Sequence, residues 1–281
     1  MVQPEVIIQA MTDAHPASHP APSSYVLAAP RHPHYVRVLS IAGSDSGGGA
    51  GIQADLRTFS ALGCYGMTAI TAITAQNTLG VSMVETLSPE MVAGQIDACV
   101  DDIGVDAVKI GMLGSPAVAH AVADRLEGIG VPVVFDPVMI ATSGAALADA
   151  DTIAAFERLM QLAALTTPNV PELAALGGHD GMAARAIAYL AKGGDAEGER
   201  VEDWLMLPGE PPHVMAGTRI HTRHTHGTGC TLSSAIATFL GRGLDLTDAV
   251  DRARLFVRSA LRAAPGFGAG HGPLGHAEAR G

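Results

Sequence analysis

The chain has 281 residues and a formal net charge of −11, with 17 Lys and Arg against 28 Asp and Glu. A hydrophobic content of 48% and a charged content of 16% exclude a disordered chain, and the acidic balance speaks against a general nucleic-acid binder. Cys64, Cys99 and Cys230 lack metal-type pairing, and no run of about 20 residues is continuously apolar, so a disulfide scaffold, a zinc finger and a membrane span are not expected.

Residues 1–35 include MTDAHPASHPAPSSYVLAAPRHPHY, rich in Pro, Ala, Ser and His and without a helical or strand period. They read as a disordered N-terminal extension, with no basic start and apolar run of a secretory signal. Regular structure is expected from Val36. VRVLSIAG reads as a buried strand entering a Gly loop. AGIQADLRTFSALG sets Ile52, Leu56 and Phe59 at helical spacing and stops at Gly63. YGMTAITAITAQNT alternates like one strand. PEMVAGQIDACVDDIG reads as a helix and AVKIGML as a strand. SPAVAHAVADRLEGIG is a helix with a Ser cap and Pro at its first position. VPVVFDPVM is a strand, ADTIAAFERLMQLA a helix, and LTTPN a strand end. AIAYLA, before KGGD, is either a strand that leaves Lys192 at its end or a helix that displaces it. The alternation predicts an α/β fold, a mainly parallel sheet covered by helices, in one domain over residues 36–281.

Ligands of open α/β sheets sit beyond the carboxyl ends of the strands. In AGSDSGGGAGIQAD, residues 42–55, Gly47, Gly48, Gly49 and Gly51 admit close backbone approach at a helix start. Its free N–H groups suit an anion or polar ligand, although neither a Walker Lys nor G-x-G-x-x-G spacing is present. Asp55 either serves the helix dipole or accepts from a ligand. Gln76 offers a donor and an acceptor to a flat heterocycle, or stabilises a turn. Asp136 ends a strand, facing a metal or phosphate or capping the next turn. Asn169 and Glu172, three apart, could position hydrated Mg²⁺ or form a capping box. HTHGTGCTLSSAIATFLGRG, residues 224–243, is the strongest segment. Gly227, Thr228 and Gly229 form a loop of N–H groups suited to the charge of a phosphoryl group in transfer. Cys230, at the helix N-terminus, is expected to have a lowered thiol pKa. His221, His224 and His226 with Cys230 offer zinc ligands, but at no standard zinc spacing.

These strings, with VKIGML, KGGD and GFGAGHGPLGH, resemble the hydroxymethylpyrimidine/phosphomethylpyrimidine kinases of thiamine biosynthesis over residues 36–276. The resemblance implies a ribokinase-like three-layer sandwich and a homodimer. It implies ATP-dependent phosphorylation of 4-amino-5-hydroxymethyl-2-methylpyrimidine and then of its monophosphate, in the cytoplasm, with Mg²⁺ and without nucleic-acid or membrane partners. Carried over residue by residue, Gln76 would bond the aminopyrimidine, Asp55 and Gly43 would line its pocket, and Met112 would pack nearby. Asn169 and Glu172 would organise Mg²⁺ and the ATP phosphates, with Asp136 a second metal-facing carboxylate. Lys192 would meet the phosphates as a point charge, and Gly227, Thr228 and Gly229 would form the anion hole. Cys230 would accept the hydroxyl proton. Asp195 stands where the family carries His, and the segment between Thr167 and Lys192 is short. The alternatives are a pyrimidine-binding protein with impaired phosphoryl transfer and a pyridoxine-type vitamin kinase.

Overall fold

Side-chain parity along the strands builds three layers. The computed structural model describes residues 35–139, 149–194 and 198–279. The expected N-terminal extension, apart from Tyr35, lies outside the described residues. Strands β1 (Arg37–Ala42), β2 (Tyr65–Ile70), β5 (Ala107–Ile110), β6 (Val133–Phe135), β7 (Leu165–Thr166) and β8 (Tyr189–Ala191) pair in parallel. β9 (Arg200–Met206) and β10 (His213–Thr218) extend the sheet antiparallel, in the order β10-β9-β8-β7-β6-β5-β1-β2.

Leu39, Ile41, Val108, Ile110, Val133 and Phe135 belong to a core under helices α2 (Pro89–Asp102), α3 (Pro116–Leu126) and α4 (Ala150–Leu162). The alternate residues Val38, Ala107, Val134 and Leu165 join a second core under α1 (Gly51–Ala61), α7 (Thr228–Gly241) and α8 (Leu246–Arg262). Burial on both faces explains why these strands read as continuous apolar runs. The expected Ser115 cap is present, accepting the Val118 N–H, and Ser88 caps α2 in the same way through the Met91 N–H, each with Pro in the first turn.

Two sequence expectations change. Residues 65–78 are not one strand. At Thr71 the N–H donates to Ala42 O and the hydroxyl to Met112 O, which ends the ladder with β1. β3 (Ala72–Asn77) leaves the sheet and pairs with β4 (Gly80–Thr86), unread in the sequence, as a separate antiparallel hairpin. In AIAYLA the strand reading holds, because β8 pairs with both β7 and β9. Two short helices, α5 (Val170–Ala175) and α6 (Gly178–Ala184), bridge β7 to β8. Asn169 forms a parallel bridge with Lys192, which therefore stays at a strand end.

Candidate active site

The strand ends open on a cavity of about 690 Å³ lined by Gly43, Gln76, Met112, Asp136, Asn169, Glu172, Lys192 and the Gly227–Cys230 loop. Asp55 does not line it. The loop is the start of α7, whose cap residue Gly227 has φ 85°. A Cβ there would lie 1.9 Å from Gly49 O. Only glycine permits this backbone conformation and this approach. A Cβ on Gly229 would lie 3.4 Å from both Lys192 Nζ and Asp136 Oδ2, so the strand-end cation faces the helix N-terminus. A helix N-terminus and an ammonium thus meet at one point, as phosphate binding requires, although the Thr228 N–H is already donated to Thr225 O.

The other glycine loop behaves differently from expectation. Its N–H groups are filled from within the chain. Asp45 Oδ1 accepts from Gly47, and Asp45 Oδ2 accepts from Gly49 and Ala50 at 2.8–2.9 Å and lies 2.8 Å from His226 Nε2. Burial pushes the Asp45 carboxyl up, but His226 and the N–H groups of Ala50 and Gly47 outweigh it, leaving the group below the usual range. This loop holds a side-chain anion and packs against the Gly227 turn rather than awaiting a ligand. Asp45 and His226 line the cavity as a pair; the sequence reading gave Asp45 no role and His226 only that of a zinc-ligand alternative.

Asp55 was expected in the pyrimidine pocket and lies beneath it. Strand parity turns Ser40 and Lys109, paired across β1 and β5, towards α1 and α7. Lys109 Nζ sits 3.0 and 2.9 Å from the two Asp55 oxygens, and Ser40 and Ser234 donate to them at 2.5 and 2.7 Å. Both charged side chains are fully buried. Burial lowers the Lys109 pKa, but Asp55, Cys230 and Asp136 raise it further, so the ammonium persists and reaches the cavity wall. A lone Lys within AVKIGML was the available sequence signal, since an unpaired lysine is almost never buried.

Cys230 reverses expectation. Its thiol is pushed up to about 11, first by burial and then by Asp55 and Asp136, against the pull of Lys109 and the Gly51 N–H. The helix terminus does not overcome burial and the surrounding carboxylates, and the thiol is neutral near pH 7.

Asn169 and Glu172 form the capping box. Asn169 Oδ1 accepts the Glu172 N–H at 2.9 Å, and Glu172 Oε2 accepts the Asn169 N–H at 2.8 Å. Both residues still line the cavity. Lys192 Nζ lies 2.7 Å from Asp136 Oδ1 and 3.8 Å from Glu172 Oε2. Burial raises the Glu172 pKa to about 7 despite Lys192, so one ammonium does not fully compensate these carboxylates. Hard oxygen donors short of positive charge fit Mg²⁺. The suggested zinc set does not assemble: among the described residues no group of three or more His, Cys, Asp and Glu is arranged to hold a metal ion. His226 is instead engaged by Asp45. Asp195 lies outside the described residues.

Met112 stands against Gly43, where a Cβ would lie 3.3 Å from Met112 Sδ, and Gln76 lines the same cavity. Val201, Ile220, Val257 and Leu261 give that cavity an apolar wall.

A profile of the phosphomethylpyrimidine kinase family matches residues 45–275. The hydroxymethylpyrimidine/phosphomethylpyrimidine kinase of Rhizobium meliloti (strain 1021) is 49% identical over 255 residues, covering 85% of this chain and 96% of that protein. The protein of the same name from Escherichia coli (strain K12) is 42% identical over 259 residues, covering 86% and 97%. Among solved structures, an ADP complex of Bacillus subtilis pyridoxal kinase is similar with TM-score 0.78 and 32% identity, covering 87% of this chain and 98% of that one. Phosphomethylpyrimidine kinase from Clostridium difficile 630 is similar with TM-score 0.68 and 40% identity, covering 80% and 99%. Identity at this level across both chains, on a shared α/β sandwich, makes this chain a phosphotransferase that belongs to the phosphomethylpyrimidine kinase family.

Proposed function

We propose that the chain transfers the γ-phosphoryl group of ATP to the hydroxymethyl oxygen of 4-amino-5-hydroxymethyl-2-methylpyrimidine, and then a second phosphoryl group to the monophosphate. The observation that carries this reading is one cavity shared by a donor–acceptor amide, Gln76, and a helix N-terminus faced by Lys192. Its volume is within the usual range of small-molecule sites. Gln76 would bond the aminopyrimidine, with Met112 against the ring and Gly43 leaving room for it. Gly227, Thr228 and Gly229 would stabilise the transferring phosphoryl oxygens. Lys192 would add a point charge, and the apolar wall would take adenine.

In the reaction the hydroxymethyl oxygen forms a bond to the γ-phosphorus, the bond to the ADP oxygen breaks, and the hydroxyl proton leaves. Asp136 and Glu172 would hold Mg²⁺ together with phosphate oxygens and water; when bound, it neutralises charge on those oxygens. Cys230 is assigned to the hydroxyl proton. Its thiolate is scarce at neutral pH, and a loose phosphoryl-transfer transition state asks little of the base. Positioning and charge stabilisation therefore supply most of the acceleration.

Ile73 and Met83, on one face of the β3–β4 hairpin, and Leu79 at its turn are exposed apolar residues, and a second copy of the chain would cover them. Three free cysteines and the acidic charge suit a cytoplasmic enzyme. Among the described residues no helix is long and apolar enough to cross a membrane.

The test is incubation with ATP·Mg²⁺ and the pyrimidine, with products followed by mass. Mono- and diphosphate are expected in sequence. Absence of both, with the pyrimidine still bound, would establish a binding protein instead. The likeness to pyridoxal kinases favours pyridoxal as the second substrate to try, and its exclusive phosphorylation would replace the pyrimidine reading.

A further inference from the structure

The cavity amide is held by a hydrogen-bond chain that leaves it one orientation. Asp45 is ionised and can only accept, so His226 Nε2, 2.8 Å from Asp45 Oδ2, carries a proton. One terminal atom of the Gln76 amide, placed as Nε2, lies 3.3 Å from that same nitrogen. The His226 N–H is directed at Asp45 and can be shared only with an oxygen, so an NH₂ group placed there finds no acceptor on His226. At the other terminal atom, placed as Oε1, Thr74 Oγ1 lies at 3.2 Å. Thr74 has one hydroxyl proton, and it is directed to Ser44 O at 2.8 Å, a group that can only accept. Thr74 can therefore only accept from Gln76. Both contacts are satisfied together when the amide is turned by 180°, with Oε1 towards His226 and the NH₂ group towards Thr74. The two ends of an amide are told apart by their partners.

We propose that Asp45, His226 and Thr74 are positioning residues that fix the sense of the Gln76 amide, and so fix which order of donor and acceptor a heterocycle must present. The proposal rests on the assignment of Gln76 to the pyrimidine. His226 and Asp45 are nearly fully buried, and the ring packs closely on Gly49, where a Cβ would lie 2.5 Å from His226 Cδ2. With both partners in place, Gln76 offers its remaining Oε1 lone pair to an amino group and its remaining N–H to an adjacent ring nitrogen. An amino-pyrimidine matches this order. Its 4-oxo counterpart, with a carbonyl beside a ring N–H, presents the reverse order and would need the amide turned against both Thr74 and His226. A site built on such polar matching rejects the mismatched analogue far more strongly than an apolar pocket could.

The experiment compares kcat/KM for the 4-amino substrate and its 4-oxo analogue in the intact chain and four variants. Thr74→Val removes the acceptor and His226→Asn removes the Nε2 donor. Thr74→Ser keeps the hydroxyl, and His226→Gln places an amide N–H near the lost position. The expected result is a fall of at least tenfold in discrimination for Thr74→Val and His226→Asn. It should appear as a lower KM for the oxo analogue with a higher KM for the amino substrate, and Thr74→Ser and His226→Gln should restore it. Unchanged discrimination in a folded Thr74→Val or His226→Asn overturns the proposal, as does an equal loss on both substrates in all four variants. Gln76→Ala separates the underlying assignment: an unchanged KM for the amino substrate in that variant removes Gln76 from the pyrimidine site.

Discussion

At the scale of single residues the site is a set of buried charges arranged around one sulfur. Burial first, then Asp55 and Asp136, lift the Cys230 thiol and Lys109 pulls it down, so proton acceptance by Cys230 depends on pH above neutrality. A thiol whose pKa lies near 11 becomes more thiolate as pH rises. The rate under kcat/KM conditions should therefore climb between pH 7 and 9, and a plateau already reached at pH 7 would remove Cys230 as the base. Cys230→Ser should lower kcat by roughly a hundredfold or more, with KM for the pyrimidine changed only a few-fold. The Asp55–Lys109 pair belongs to stability instead. Asp55→Asn leaves a buried ammonium without its counter-charge, and thermal or urea unfolding should show a loss of about 3 kcal/mol or more. Strings such as HGTGC and AQNT marked segments that line the cavity. They did not reveal which oxygen or N–H was already occupied, because Asp45, Asp55 and Asn169 are satisfied by partners that strand parity, the glycine turns and a capping box bring to them.

At the scale of elements, the two glycine segments work as one device. The Gly47–Gly51 loop wraps the Asp45 carboxylate, and the start of α7 rests on its backbone through Gly227. Gly227→Ala meets both a positive φ and a carbonyl oxygen 1.9 Å from the new Cβ. The expected result is a stability loss above about 1 kcal/mol together with a raised KM for ATP, because the loop must shift to admit the methyl group. If ATP binding in that variant equals wild type, the loop does not hold phosphate. Periodicity located the helices and parallel strands as far as β7, and the start of α7, since burial on one helix face or both sheet faces writes itself into composition. It left β4, β9, β10, α5, α6 and α8 unread and missed the break before β3; β4 is largely exposed and has no buried face to impose a pattern. It left AIAYLA open because three strand residues are too few to show a period. Pairing of β8 with neighbours on both sides decided that segment.

At the scale of the whole molecule, two properties depend on surfaces brought together from distant parts of the chain. His276, near the C-terminus, sits against Thr231 of α7 at 2.8 Å, and burial together with Arg57 lowers its pKa to about 4. The unfolded chain binds that proton first, near pH 6.5. Stability is therefore intact above about 6.5 and is lost progressively as pH falls towards 4, by on the order of 3 kcal/mol in full. The melting temperature should drop over that window, and His276→Gln should flatten the drop; an identical slope in the variant would assign the acid sensitivity elsewhere. The hairpin face makes a second whole-molecule prediction. Met83→Glu should shift the protein towards monomer in sedimentation or light scattering, and a monomeric parent protein would contradict the dimer. The sequence by itself determined the α/β alternation, the strand-end placement of the candidate segments and the family, because apolar periodicity and short glycine-rich strings are local properties. Only the tertiary structure decided that the first glycine loop is closed by Asp45, that Asp55 backs the site through Lys109, that Lys192 faces the helix N-terminus, and that Cys230 is a neutral thiol. Each of these depends on the field and hydrogen bonds of groups far apart in the chain, and no local pattern carries those.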